Sequence, residues 1–167
     1  GGSYDNLGAA QWSLFYRFIL DILSENNLKV TDEISITFFE DALSKTKKHL
    51  QKYFNRIDIV LGDLQKHVRG DVVLPVSGLI DMIAPTYVIE NDNGTFRSVS
   101  GESYIMLVQY SDSGVEIETV LPYGNSNNNK SPHYTDQMKL YINKKTKKMT
   151  LDKDKIYNEA ESIYNPN

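Results

Sequence analysis

His133 and Asp136 stand three residues apart, a spacing that puts an imidazole and a carboxylate within hydrogen-bonding reach on one turn of helix. With a serine beside it, such a pair could polarise a hydroxyl for acyl transfer. Ser126 and Ser131 are the nearest serines in sequence, yet neither lies in the Gly-x-Ser-x-Gly elbow that presents a nucleophile. Ser131, followed by Pro132, is better explained as the cap of a short helix over residues 132–142. A catalytic triad is therefore not expected.

Other groups capable of chemistry are sparse. His49 falls in a lysine-rich helical stretch and His67 in Lys66-His67-Val68-Arg69, so both are expected on the surface. No histidines have the His-x-x-x-His or His-Glu-x-x-His spacing that would place two nitrogens on one metal. Asp152, Asp154, Glu159 and Glu161 are interspersed with lysines and lack a glycine-bearing calcium loop, which reads as a solvated helix. The glycine-rich phosphate-binding patterns are missing too, so no cofactor and no metal are expected. A chain without cysteine has no disulfide, thiolate zinc site or thiol nucleophile.

Eighteen basic against twenty-two acidic side chains leave a formal charge of -4, which argues against a nucleic-acid partner. Apolar residues at 40% and aromatics at 11% suffice for a packed core, and 167 residues suit one domain. No apolar run approaches the roughly 18 to 20 residues of a helical membrane span.

The elements that must position these groups follow from periodicity. Leu7, Ala10, Trp12, Leu14, Phe15, Phe18, Ile19, Ile22 and Leu23 recur at spacings of mostly three and four, predicting a helix that stops at Asn26-Asn27. A second helix is announced by Thr37 and Glu40 at capping-box spacing and carried by Phe39, Ala42, Leu43, Thr46, Leu50 and Phe54, with its lysines on a solvated face. Strands are expected from Val72 to Val76 and in a hairpin of Thr86 to Ile89 with Phe96 and Val99, turning at Asn91-Asp92-Asn93-Gly94. Tyr104-Ile105-Met106-Leu107-Val108-Gln109-Tyr110 reads as a strand buried on both faces, returning through Ser111-Asp112-Ser113-Gly114 into an alternating partner. If the chain does not cover that strand itself, the cover belongs to another piece. A basic turn at residues 144–148 and a last amphipathic segment begun by Asp152, bearing Ile156, Tyr157, Ala160, Ile163 and Tyr164 and stopped by Asn165-Pro166, complete the pass.

Three strings in order carry a resemblance: Gly101-Glu102-Ser103-Tyr104, then Leu121-Pro122-Tyr123-Gly124-Asn125-Ser126, then Ser131-Pro132-His133-Tyr134-Thr135-Asp136-Gln137. Together they resemble the C-terminal signature of the penicillin acylase family, which includes penicillin, cephalosporin, aculeacin and acyl-homoserine-lactone acylases. Leu61-Gly62-Asp63-Leu64, the run from Arg69 to Gly78 and Asp81 are similar to the segment preceding that signature.

The resemblance implies an N-terminal-nucleophile hydrolase, whose chain-opening serine uses its own α-amino group as base and needs no histidine. That serine and its supporting residues fall early in the family's long subunit, so no catalytic residue is expected here. Ser3 is read as part of an appended scar or linker over residues 1–5, and residues 6–167 as a single domain from the C-terminal portion of the long subunit. Gly101, Ser103, Tyr104, Gly124, Asn125, Ser126, Ser131, Pro132, His133, Tyr134, Asp136 and Gln137 are expected to be structural, satisfying buried backbone groups at strand ends and turns. Tyr104 and Tyr134 would each bury a ring with the hydroxyl on a polar partner.

The expected fold is α+β, helices first, then a mainly antiparallel sheet and a C-terminal helix, and the resemblance implies that this is part of an αββα enzyme. The partners implied are the rest of the same acylase, its short subunit and the N-terminal part of its long one. Export to the periplasm or beyond is implied by the resemblance alone. A free-standing binding module, acting through the Asn-rich loop, is the alternative, and a gene encoding only this segment would favour it.

Overall fold

The apolar residues spaced three and four apart form α1 (Ala9–Glu25) in a computed structural model that describes residues 2–80 and 82–160. The expected roles of Asp81, Glu161, Ile163, Tyr164, Asn165 and Pro166 lie outside the described residues. The chain divides into two compact units, Gly1–Glu102 and Ser103–Asn167.

In the first unit α1 stops where expected: the Asn26 side chain donates to the Ile22 carbonyl at 2.8 Å, and Asn27 takes a left-handed φ of 56°. The second helix, α2 (Ile36–Phe54), starts earlier than the Thr37 cap predicted from sequence. Ser35 has the extended backbone of a cap and its hydroxyl accepts from the Thr37 N–H, so Thr37 already lies inside the first turn. Ile19, Ile22 and Leu23 of α1 bury against Ala42 of α2, with Phe15 and Phe39 stacked at 6.2 Å between centroids. Lys47, Lys48 and Lys52 lie on the solvated face, as the periodicity required.

A short α3 (Leu61–Leu64) leads into β1 (Gln65–Arg69), which turns back as β2 (Val72–Pro75). β3 (Thr86–Glu90) and β4 (Phe96–Gly101) form the expected second hairpin. The sheet order is β2-β1-β4-β3, antiparallel within each hairpin and parallel where β1 meets β4. Ala10, Leu14, Leu50, Ile59, Leu64 and Phe96 form the core joining both helices to this sheet. The opening residues are hydrogen-bonded into the unit: the Gly78 N–H donates to Gly2 and the Tyr4 N–H to the Ser77 hydroxyl.

The second unit holds β5 (Ile105–Ser111), β6 (Gly114–Val120) and β7 (Lys147–Met149), antiparallel in that order. β7 occupies what the sequence presented as a basic turn. The expected helix over residues 132–142 is shorter: residues 131–137 are bends and turns, and α4 (Met138–Ile142) begins only after Gln137. α5 (Lys153–Glu159) is capped as expected by Asp152, whose carboxylate accepts from the Asp154 and Lys155 N–H groups.

β5 contradicts its sequence reading. Met106 is 52% exposed, Leu107 56% and Tyr110 79%, so neither face is buried, and Tyr104 does not bury its ring. The apolar run states what the side chains prefer, and among the described residues these side chains stay exposed on both faces of the strand.

Candidate functional site

The two histidines expected on the surface are both buried. Ala42, Thr46, His49 and Leu50 share one face of α2, which draws the His49 ring in among Phe18, Tyr53, Phe54 and Phe96. Its Nε2 lies 2.9 Å from the Gly94 carbonyl oxygen and its Nδ1 3.7 Å from the Glu90 carboxylate. Gly94 adopts a φ of 76°, and a Cβ there would come within 2.2 Å of Tyr53 Cγ, so glycine is required both by conformation and by space. His67 alternates with Gln65 as an inward residue of β1. The spacing of His49 with Ala42 and Thr46 was the signal that could have found it.

In the second unit the signature residues from Gly124 to Gln137 form one closed loop. His133 Nδ1 lies 3.1 Å from Asp136 Oδ2, as the three-residue spacing required, although the segment is a turn rather than a helix. Ser131 accepts from the His133 main-chain N–H and Ser126 from that of Asn128, so both hydroxyls serve backbone turns. The Ser126 N–H in turn donates to the His133 carbonyl at 3.1 Å.

Gly124 lies beneath this pair; a Cβ there would fall 2.2 Å from the His133 oxygen and 2.5 Å from Asp136 Oδ1. Buried Gln137 accepts the Leu121 N–H at 3.0 Å, while its own N–H donates to the Tyr123 carbonyl at 2.9 Å. Gln137 therefore joins the two signature strings through backbone groups. Ser103, Pro132 and Asn125 are exposed, while Tyr134 is partly buried.

Among the described residues no three His, Asp or Glu side chains are grouped to hold a metal, and no helix is long and apolar enough to cross a membrane. A cavity of about 150 Å³ in the first unit is lined by Trp12, Ser13, Tyr16, Leu79, Ile80 and Met82. It offers aromatic and aliphatic surface with neither histidine nor carboxylate, which suits packing rather than proton transfer.

A family model described as penicillin amidase matches residues 7–158. No curated protein matches the sequence. Among solved structures the chain is similar to a thermostable penicillin G acylase from Alcaligenes faecalis in orthorhombic form, at 20% identity and a TM-score of 0.35. That match covers 92% of this chain and 29% of the acylase chain, so this chain spans less than a third of it.

Proposed function

The chain belongs to the penicillin amidase family, and from that premise we propose that it is the C-terminal structural part of the long subunit of an acylase. The parent cleaves the linear amide between an acyl group and an amine of β-lactam, homoserine-lactone or lipopeptide type. Its nucleophile is an N-terminal serine with its own α-amino group as base, located outside this sequence, and this chain alone is inactive. Gly124, Asn125, Ser126, Ser131, Pro132, His133, Tyr134, Asp136 and Gln137 then shape a turn in a structural role, and Gly101, Ser103 and Tyr104 serve structurally at the strands before it. The partners are the short subunit and the preceding part of the long one, in a protein exported to the periplasm or beyond.

The observation that carries this reading is β5. A seven-residue strand with apolar side chains exposed on both faces is costly in water and gains stability only when other elements cover it. The His133–Asp136 pair supports the same conclusion, because it is committed to a turn whose serines cap main-chain N–H groups.

Hydrolysis of a chromogenic phenylacetyl or long-chain acyl anilide is the test, comparing this chain with its full-length reading frame. Turnover by the full-length protein alone is the expected result. Turnover by this chain would place an active site among Ser3, Ser131 and His133 and overturn the proposal.

A further inference from the structure

Asn93 is the one asparagine in the chain followed by glycine, and it is exposed at the tip of the β3–β4 hairpin. With no side chain on Gly94 to hinder it, the Gly94 amide nitrogen is the least obstructed nucleophile for the preceding side-chain amide. The fold cannot exchange that glycine cheaply, because its left-handed conformation and the Tyr53 ring exclude a Cβ. The reactive dipeptide is thus built into the turn.

The same turn opposes the reaction. The Gly94 N–H donates to the Asn91 carbonyl at 2.9 Å, which engages the proton that must leave before nitrogen can attack. Asn93 Oδ1 accepts from the Thr95 N–H at 3.1 Å and from its hydroxyl at 2.7 Å, holding the side-chain amide toward Thr95. His49 anchors the Gly94 carbonyl from inside the core.

We propose that Asn93 is a hydrolytic modification site, deamidating through a succinimide with Gly94, and that the turn anchored by His49 restrains this reaction in the folded chain. The Gly94 nitrogen gives up its proton and bonds to Asn93 Cγ, and the side-chain nitrogen leaves as ammonia. Water then opens the ring at either carbonyl, giving aspartate or, by cleavage at the main-chain carbonyl, isoaspartate. One water is consumed, one ammonia is released, and nothing is oxidised or reduced. Isoaspartate lengthens the main chain by a methylene beside Gly94, so the product cannot keep the Gly94 carbonyl on His49 and the Asn91 turn together. The modification is irreversible and releases the hairpin tip from α2. This inference is independent of the acylase reading.

The experiment is peptide mapping by mass spectrometry with isoaspartyl methyltransferase labelling, on the whole chain aged folded and aged in urea. Asn93 should convert at least roughly tenfold more slowly in the folded chain, since reaction requires local opening. In His49→Ala its rate should rise toward the urea value while circular dichroism shows the fold retained, and His49→Gln, which keeps an N–H donor, should restore protection. If His49→Ala fails to fold, Thr95→Val, which removes one hold on the Asn93 amide at an exposed turn, carries the test and should also accelerate conversion. Equal rates folded and unfolded, or no acceleration in a folded variant, would overturn the restraint. Conversion in urea no faster at Asn93 than at Asn125 would overturn the site.

Discussion

His49 and Gly94 are joined by a 2.9 Å contact from a buried imidazole to a main-chain oxygen, which ties the C-terminal half of α2 to the tip of a hairpin forty-five residues away. The contact is enclosed by Phe18, Tyr53, Phe54 and Phe96, so losing it exposes no easy route for water to replace it. His49→Ala is expected to cost about 2 to 4 kcal/mol, as a lost hydrogen bond plus a cavity. Urea denaturation of the purified chain checks this, and a loss within error of zero would mean that the contact contributes nothing.

Gly94→Ala should destabilise by about 1 to 3 kcal/mol, combining left-handed strain with overpacking against Tyr53. Trimming the ring with Tyr53→Ala in the same chain should not recover all of this, because the φ of 76° and the 2.7 Å approach to the Tyr53 Cβ both persist. Full recovery in the double variant would leave the steric contact as the sole cause.

Gln137→Leu keeps the volume but leaves the Leu121 N–H without its acceptor, at an expected cost of about 1 to 3 kcal/mol. Chemical denaturation followed by tyrosine fluorescence reads it. An unchanged midpoint would show that Gln137 does not hold the signature loop.

Leu107→Lys should leave the thermal midpoint of this chain unchanged and raise its solubility, since the side chain is 56% exposed and a charged edge strand resists pairing. In the proposed acylase parent the same substitution should lower the yield of active enzyme several-fold, because a position covered there would then hold an unpaired charge. Light scattering and active yield provide the readings, and equal yields of wild type and variant would argue against cover on that face.

Arg56 donates to Asp58 at 2.7 Å and holds its carboxyl below the usual carboxylate range, with the attraction of the two charges a smaller contribution. A lowered folded-state value means that the pair favours the fold above the ordinary carboxylate range, and that this support is lost as pH falls through the depressed value. Both side chains are well exposed, so the effect is small. Asp58→Asn is expected to leave the melting temperature at neutral pH unchanged, and a measurable drop would show that the pair matters more than its exposure implies.

Features that depend on a few neighbouring residues were legible in the sequence. Asn26 and Asn27 stop α1, Asn91 and Gly94 turn the β3–β4 hairpin, and Asp152 caps α5, each through contacts within a few positions. The His133–Asp136 contact was legible for the same reason, whereas the helix expected from residue 132 starts only at Met138, after Gln137 is tied back to Leu121 and Tyr123. His49 was misread because neighbouring lysines outweighed its register with Ala42 and Thr46. The strand β5 was legible but its exposure in this chain was not, because an apolar strand reports a need for cover without naming what supplies it.

The junction between β1 and β4 has a consequence for how the first unit assembles. β1 meets β2 through four register pairs and β3 meets β4 through five, whereas β1 meets β4 only at Gln65↔Phe96 and Lys66↔Arg97. Each hairpin can zip from its own short turn, while the parallel join must close a long loop for only two pairs. The hairpins then behave as separate cooperative blocks welded late, and amide protons along the join should exchange with solvent before those inside either hairpin.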